Sequence, residues 1–121
     1  MENKKTLVIG ASPNPSRYSY KAVSLLRSYN YPVEALGIKE GQIGDVEIQF
    51  GKPELSDIHT VTLYVGPERQ PEYYDYILSL NPKRLIFNPG TENIELENLA
   101  KQAGIVTIEN CTLVMLNTGR F

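Results

Sequence analysis

Leu7-Val8-Ile9-Gly10-Ala11-Ser12-Pro13-Asn14-Pro15-Ser16-Arg17-Tyr18-Ser19 is the stretch on which the reading of the whole chain turns. Leu7 to Ile9 is a short apolar run after polar Lys4 and Lys5, and it predicts a buried strand. Gly10, Ala11 and Ser12 then make a turn of small residues, and Pro13 and Pro15 forbid either a continued helix or ladder pairing. Beyond Ser19 the apolar residues Ala22, Leu25, Leu26 and Tyr29 fall on one helical face. Strand, tight turn, helix is the corner at which Rossmann-like units bind phosphate. The helix there turns unpaired backbone N–H groups and the positive end of its dipole toward an anion. A dinucleotide fingerprint asks for G-x-G-x-x-G, and only Gly10 is present. Ala11 and Ser12 are small enough for close backbone approach, and Arg17 supplies a cation.

Outward from this corner, strands and helices alternate. The first helix, Ser19 to Tyr29, ends at Asn30-Tyr31-Pro32, and Val33 to Ile38 is the second strand, with proline at its entry. A glycine-spaced loop (Gly41, Gly44, Gly51) surrounds a short strand, Val46 to Phe50, where Val46, Ile48 and Phe50 alternate with polar residues, and Pro53 to Ile58 reads as one helical turn at most. His59 to Val65 is a further strand ending at Gly66-Pro67. A helix is expected from Gln70, with Pro71 in its first turn, where proline is tolerated, and with Tyr73, Tyr74, Ile77 and Leu78 on its apolar face. Asn81-Pro82 closes it, and Arg84 to Phe87 is a strand running into Asn88-Pro89-Gly90. Glu92 to Ala103 reads as helix and Ile105 to Ile108 as a final strand, while the apolar tail Cys111 to Leu116 fits either state. The expected fold is a three-layer α/β/α Rossmann-like arrangement with a mostly parallel sheet of about five strands, and residues 1–121 form one domain. Its ligand crevice should lie past the strands' carboxyl ends, among the loops Gly10–Ser19, Ile38–Gly44, Val65–Gln70 and Asn88–Asn93.

Composition narrows the function. Twelve Lys and Arg against 14 Asp and Glu give a net charge of −2, which leaves no basic footprint for nucleic acid. No apolar run approaches the roughly 18 residues that span a bilayer. The opening Met1-Glu2-Asn3-Lys4-Lys5 leads into a strand rather than a signal-peptide apolar core. One cysteine, Cys111, permits no internal disulfide and suits a reducing cytoplasm. With one histidine, His59, the usual zinc ligand sets cannot be assembled within the chain. No Ser-His-Asp set, spaced carboxylate pair or GxxxxGK[ST] is present either. Cys111 reads as a small buried hydrophobe, since no histidine is placed to activate it. The chain carries parts that hold a nucleotide and lacks evident parts that transform one.

Gly10-Ala11-Ser12-Pro13-Asn14-Pro15-Ser16-Arg17-Tyr18-Ser19-Tyr20 resembles the opening of the stand-alone CoA-binding domain family, roughly G-A-S-x-x-P-x-R-x-S-Y, at every defined position. These are small Rossmann-like proteins similar to the nucleotide-binding domain of succinyl-CoA synthetase. The likeness extends to Gly44, to Asn88-Pro89-Gly90 after an aromatic strand end, and to the late Cys111. One position departs: the family usually has V-N-P after strand two, where this chain has Gly37-Ile38-Lys39, on the adenine or ribose side of the pocket. The resemblance implies CoA or an acyl-CoA as ligand, and the residues expected to hold it are Gly10, Ala11, Ser12, Arg17, Ser19, Asn88, Pro89 and Gly90, joined by Lys39 on its own chemistry.

Lys39 bears on ligand choice. NAD-binding units place an acidic residue at the end of strand two for the ribose hydroxyls. Lysine suits an extra phosphate instead, the 3′-phosphate of CoA or the 2′-phosphate of NADP, or else it is a solvated loop residue. The leading expectation is a CoA or acyl-CoA binder without catalysis of its own: a carrier, a sensor or a partner subunit, with a protein partner or a homo-oligomer possible. The alternatives are a small NADP-dependent oxidoreductase or an acyl-CoA-handling subunit completed by another chain, and a nucleotide-free interaction module.

Overall fold

In the computed structural model of the chain, which describes residues 3–121, strand β1 (Thr6–Ala11) lies at the centre of the sheet. Around it are β2 (Val33–Gly37), β3 (Gln42–Ile43), β4 (Val46–Gln49), β5 (Thr60–Leu63), β6 (Arg84–Phe87) and β7 (Val106–Glu109). Among the described residues these form one seven-stranded sheet in the order β3-β4-β2-β1-β5-β6-β7. All neighbours run parallel except β3, which folds back antiparallel on β4. The helices are α1 (Tyr18–Ser28), α2 (Tyr74–Leu80), α3 (Ile94–Gln102) and α4 (Thr112–Asn117), with a 3-10 segment, Pro67–Tyr73, leading into α2.

Burial on both faces explains why the central strands are continuously apolar. Leu7 and Ile9 point to one side, where Tyr76 and Ile77 of α2 and Leu96 and Ala100 of α3 cover them. Val8 points to the other side, against Val23 and Leu26 of α1 and Met115 and Leu116 of α4. The result is the expected three-layer α/β/α arrangement. Leu7, Val8 and Ile9 are fully buried, and each such side chain contributes about 1.5–3 kcal/mol of hydrophobic stabilisation.

The sheet has seven strands rather than about five: β4 is the short strand expected at Val46 to Phe50, and the unexpected two-residue β3 folds back on it as a hairpin. Its turn is tied to α1 by Arg27, whose Nε and Nη2 reach Asp45 Oδ1 and Oδ2 at 3.0 and 2.8 Å. Pro53 to Ile58 forms no helical turn, and the ambiguous tail is helix α4. The helix expected from Gln70 begins earlier, as the 3-10 segment with Pro67 at its start. α3 begins at Ile94 rather than Glu92, since the Asn93 side chain caps it by accepting the Glu95 N–H at 3.1 Å. Among the described residues no helix is long and apolar enough to cross a membrane.

Candidate functional site

The chain leaves β1 toward β2 on one side of the sheet and pairs β1 with β5 on the other, so the carboxyl ends of β1 and β5 mark the topological switch point. A cleft of about 580 Å³ opens there, within the range of small-molecule sites. Two glycines shape its floor. The β1–β2 register slips between Ile9 and Ala11, with Gly10 at φ +98°. A Cβ on Gly10 would sit 2.9 Å from the Tyr64 carbonyl carbon, and one on Gly37 would sit 2.3 Å from the Ala11 oxygen. Gly10 is thus required first by the approach of the backbone at Tyr64, just past β5.

The loop after β1 is wired to itself. Ser12 Oγ accepts the Asn14 N–H at 3.1 Å, and Asn14 Oδ1 accepts the Ser16 N–H at 3.0 Å and the Ser16 hydroxyl at 2.8 Å. The Arg17 N–H donates to the Asn14 carbonyl at 3.0 Å. These bonds fix the entry to α1 without covering its end. Arg17 is the N-cap in extended conformation, no side chain caps the helix, and its first turn carries no acidic residue. In contrast, α3 has its Asn93 cap and Glu95 and Glu97 in its first turn. The opening N–H groups of α1, at the positive end of its dipole, therefore face the cleft side of the loop without a capping side chain.

Eight of the nine residues expected at the site line this cleft: Gly10, Ala11, Ser12, Arg17, Ser19, Lys39, Pro89 and Gly90. Asn88 does not line it. Its side chain is 2% exposed and fully engaged within the protein. Asn88 Nδ2 donates to Thr62 Oγ1 at 2.6 Å and to the Leu63 carbonyl at 2.8 Å, and Asn88 Oδ1 accepts the Thr112 N–H at 2.9 Å. The residue joins the ends of β5 and β6 to the start of α4, and so sets where Pro89 and Gly90 lie. The Gly90 N–H donates to Glu92 Oε1 at 2.9 Å.

Further lining residues come from the loops Val65–Gln70 and Asn88–Asn93 expected at the crevice, and Tyr64 lies just outside them. Tyr64, Val65, Gly66 and Arg69 come from the segment after β5, and Thr91 follows Gly90. Tyr73, which reads as core, is both 7% exposed and part of the wall. Buried Gln70 binds the two far walls together: Nε2 donates to the carbonyls of Val65 at 3.0 Å and Thr91 at 2.8 Å, and Oε1 accepts from Asn93 Nδ2 at 2.9 Å. The Tyr64 hydroxyl is buried and makes no hydrogen bond, while the neighbouring Thr112 hydroxyl bonds that of Thr62 at 2.7 Å. Burial pushes the Tyr64 phenol far above its ordinary pKa. Among the described residues, the charged side chains lining the cleft are Arg17, Lys39 and Arg69, with no Asp or Glu. In a chain of net charge −2, that concentration of cations selects for an anionic ligand.

A sequence model described as CoA binding domain matches residues 4–117. A crystal structure of an uncharacterized protein is 45% identical, superposes with a TM-score of 0.97, and aligns over 100% of each chain. Two further solved structures share the fold. One, cell-free ID.343 from Thermus thermophilus, has a TM-score of 0.86 at 21% identity over 98% of this chain and 91% of its own. The other is a hypothetical protein from Pyrococcus horikoshii OT3, with a TM-score of 0.85 at 24% identity over 96% of this chain and 83% of its own. No curated protein matches the chain significantly.

Proposed function

We propose that this chain, which belongs to the CoA binding domain family, holds CoA or an acyl-CoA in the cleft at the β1–β5 switch point. The observation that carries the reading is the charge of the cleft: Arg17 and Lys39 line its side past β1 and β2, and no carboxylate lines the wall. The diphosphate sits at the uncapped N-terminus of α1, where backbone N–H groups and the helix dipole favour negative charge. Arg17, at the N-cap, adds a planar guanidinium able to bind phosphate through two hydrogen bonds. Lys39 follows β2 and takes the 3′-phosphate of the ribose, in place of the acidic residue that an NAD site would have there.

The role is one of binding, as a carrier, sensor or partner subunit in the cytoplasm, with the whole chain as one domain. The titratable side chains on the cleft wall are two arginines, one lysine and three tyrosines. Such groups orient and neutralise phosphate more readily than they exchange protons near neutral pH.

Titration calorimetry with CoA, dephospho-CoA and NADP tests the assignment. CoA should bind more tightly than dephospho-CoA by about ten- to a hundredfold, the equivalent of one charge-assisted contact of about 1.5–3 kcal/mol. Equal affinities would remove the 3′-phosphate from Lys39. NADP binding better than CoA would make the ligand a dinucleotide.

A further inference from the structure

We infer that Arg69 selects acyl-CoA thioesters whose acyl group ends in a carboxylate. The inference rests on the CoA reading, which fixes a direction for the ligand. With the 3′-phosphate at Lys39 past β2 and the diphosphate at the start of α1 past β1, the pantetheine arm continues over the ends of β5 and β6. That arm carries no charge. The wall it meets is formed by Val65, Tyr73, Pro89 and Thr91, all neutral, with Val65 and Tyr73 buried. Arg69 is the one charged side chain on this half of the cleft among the described residues.

Its surroundings leave the guanidinium available. Arg69 is exposed and makes no side-chain hydrogen bond or ion pair with another described residue. Of the nearby carboxylates, Glu68 lies against Gly66, Glu72 sits at the Tyr73 phenol, and Glu92 accepts the Gly90 N–H at 2.9 Å; none forms an ion pair with Arg69. The backbone that carries Arg69 is firmly held. Its N–H donates to the Gly66 carbonyl at 3.0 Å, and the next residue is Gln70, fully buried and bonded to both walls. CoA's own phosphates are met by Arg17, Lys39 and the helix end, so this third cation has no anion to meet on CoA itself. A carboxylate at the far end of the acyl chain supplies one, and guanidinium matches its planar geometry.

The test compares glutaryl-CoA with valeryl-CoA, which have the same five-carbon acyl chain with and without a terminal carboxylate, and CoA as reference. Wild type should bind glutaryl-CoA about tenfold more tightly than valeryl-CoA, the low end for a charge-assisted contact at an exposed site. In Arg69→Gln this preference should vanish while the affinities for CoA and valeryl-CoA stay as they were. Arg69→Lys should keep part of it. Equal binding of the two thioesters by wild type would overturn the inference, and so would an Arg69→Gln variant that loses all three ligands alike, which would put Arg69 on the phosphates. In both outcomes wild type still binds CoA, so the CoA reading stands. A wild-type protein that binds none of the three would overturn the CoA reading and this inference with it.

Discussion

Asn88→Ala should destabilise the protein by about 3 kcal/mol. The magnitude follows from what the side chain holds. Truncation deprives the buried Leu63 carbonyl and the Thr112 N–H of a partner at 2.8 and 2.9 Å, while Thr62 Oγ1 keeps its contact with Thr112. Each buried polar group left without its partner costs about 1–3 kcal/mol, so two give about 2–6 kcal/mol. Water reaching the space left behind favours the lower half of that range. For a chain of this size roughly 4 °C is lost per kcal/mol, which puts the fall in Tm on the order of 10 °C. Asn88→Asp should be at least as damaging. A carboxylate still accepts the Thr112 N–H but offers no donor to Leu63 and buries a charge. Thermal and urea melts without ligand read both effects. A loss below about 1 kcal/mol in Asn88→Ala would refute the claim that Asn88 is a brace between β5, β6 and α4.

Arg17→Ala should leave the ligand-free melt nearly unchanged, since Arg17 is exposed and its side chain bonds to nothing in the loop. CoA affinity should nevertheless fall by about 1.5–3 kcal/mol, with Arg17→Lys recovering only part. Undiminished affinity by calorimetry would remove it from the phosphates. Tyr64 makes stability depend on alkaline pH. Its phenol titrates far above the unfolded value of about 10, so the unfolded chain releases the proton first and stability falls as pH rises past about 10. Tyr64→Phe should make that decline shallower and cost nothing at neutral pH, because the hydroxyl has no partner to lose. Urea melts across the alkaline range check this. A variant as alkali-sensitive as wild type would assign the decline to Tyr73, Tyr74 and Tyr76, whose phenols burial also raises.

How far the sequence could be read depended on whether the deciding interaction was local. The corner from Leu7 to Ser19 was legible because an apolar run, a small-residue turn and a switch to helical spacing all occur within one short stretch. Arg17 and Ser19 were legible for the same reason, and both line the cleft. Asn88 misled because Asn-Pro-Gly has the composition of an exposed turn. Its burial comes from Thr62 and Thr112, which are 26 and 24 residues away. Arg69 lies in the loop Val65–Gln70 expected at the crevice, but nothing local in Pro67-Glu68-Arg69-Gln70-Pro71-Glu72 marks it out from its polar neighbours. The fold decides which of them faces the ligand: Arg69 lines the cleft and Glu68 and Glu72 do not. Tyr73 was read as core by its helical spacing, and it is both core and wall. Alternation made β4 legible, whereas β3 escaped because a two-residue strand leaves no periodicity.

The central claim is that CoA occupies this cleft with its phosphates on the N-terminus of α1. Backbone amide shifts recorded by nuclear magnetic resonance during a CoA titration test it most directly, because they report on those N–H groups themselves. The account predicts saturable shifts that are largest from Ser12 to Tyr20, with further shifts at Gly37 to Lys39 and Val65 to Arg69. The shifts at Tyr18, Ser19 and Tyr20 should persist with adenosine 3′,5′-bisphosphate, which keeps a phosphate on each side of the ribose and lacks the pantetheine arm. Saturable binding that leaves those three amides unmoved, or moves the edge strands β3 and β7 instead, would contradict it.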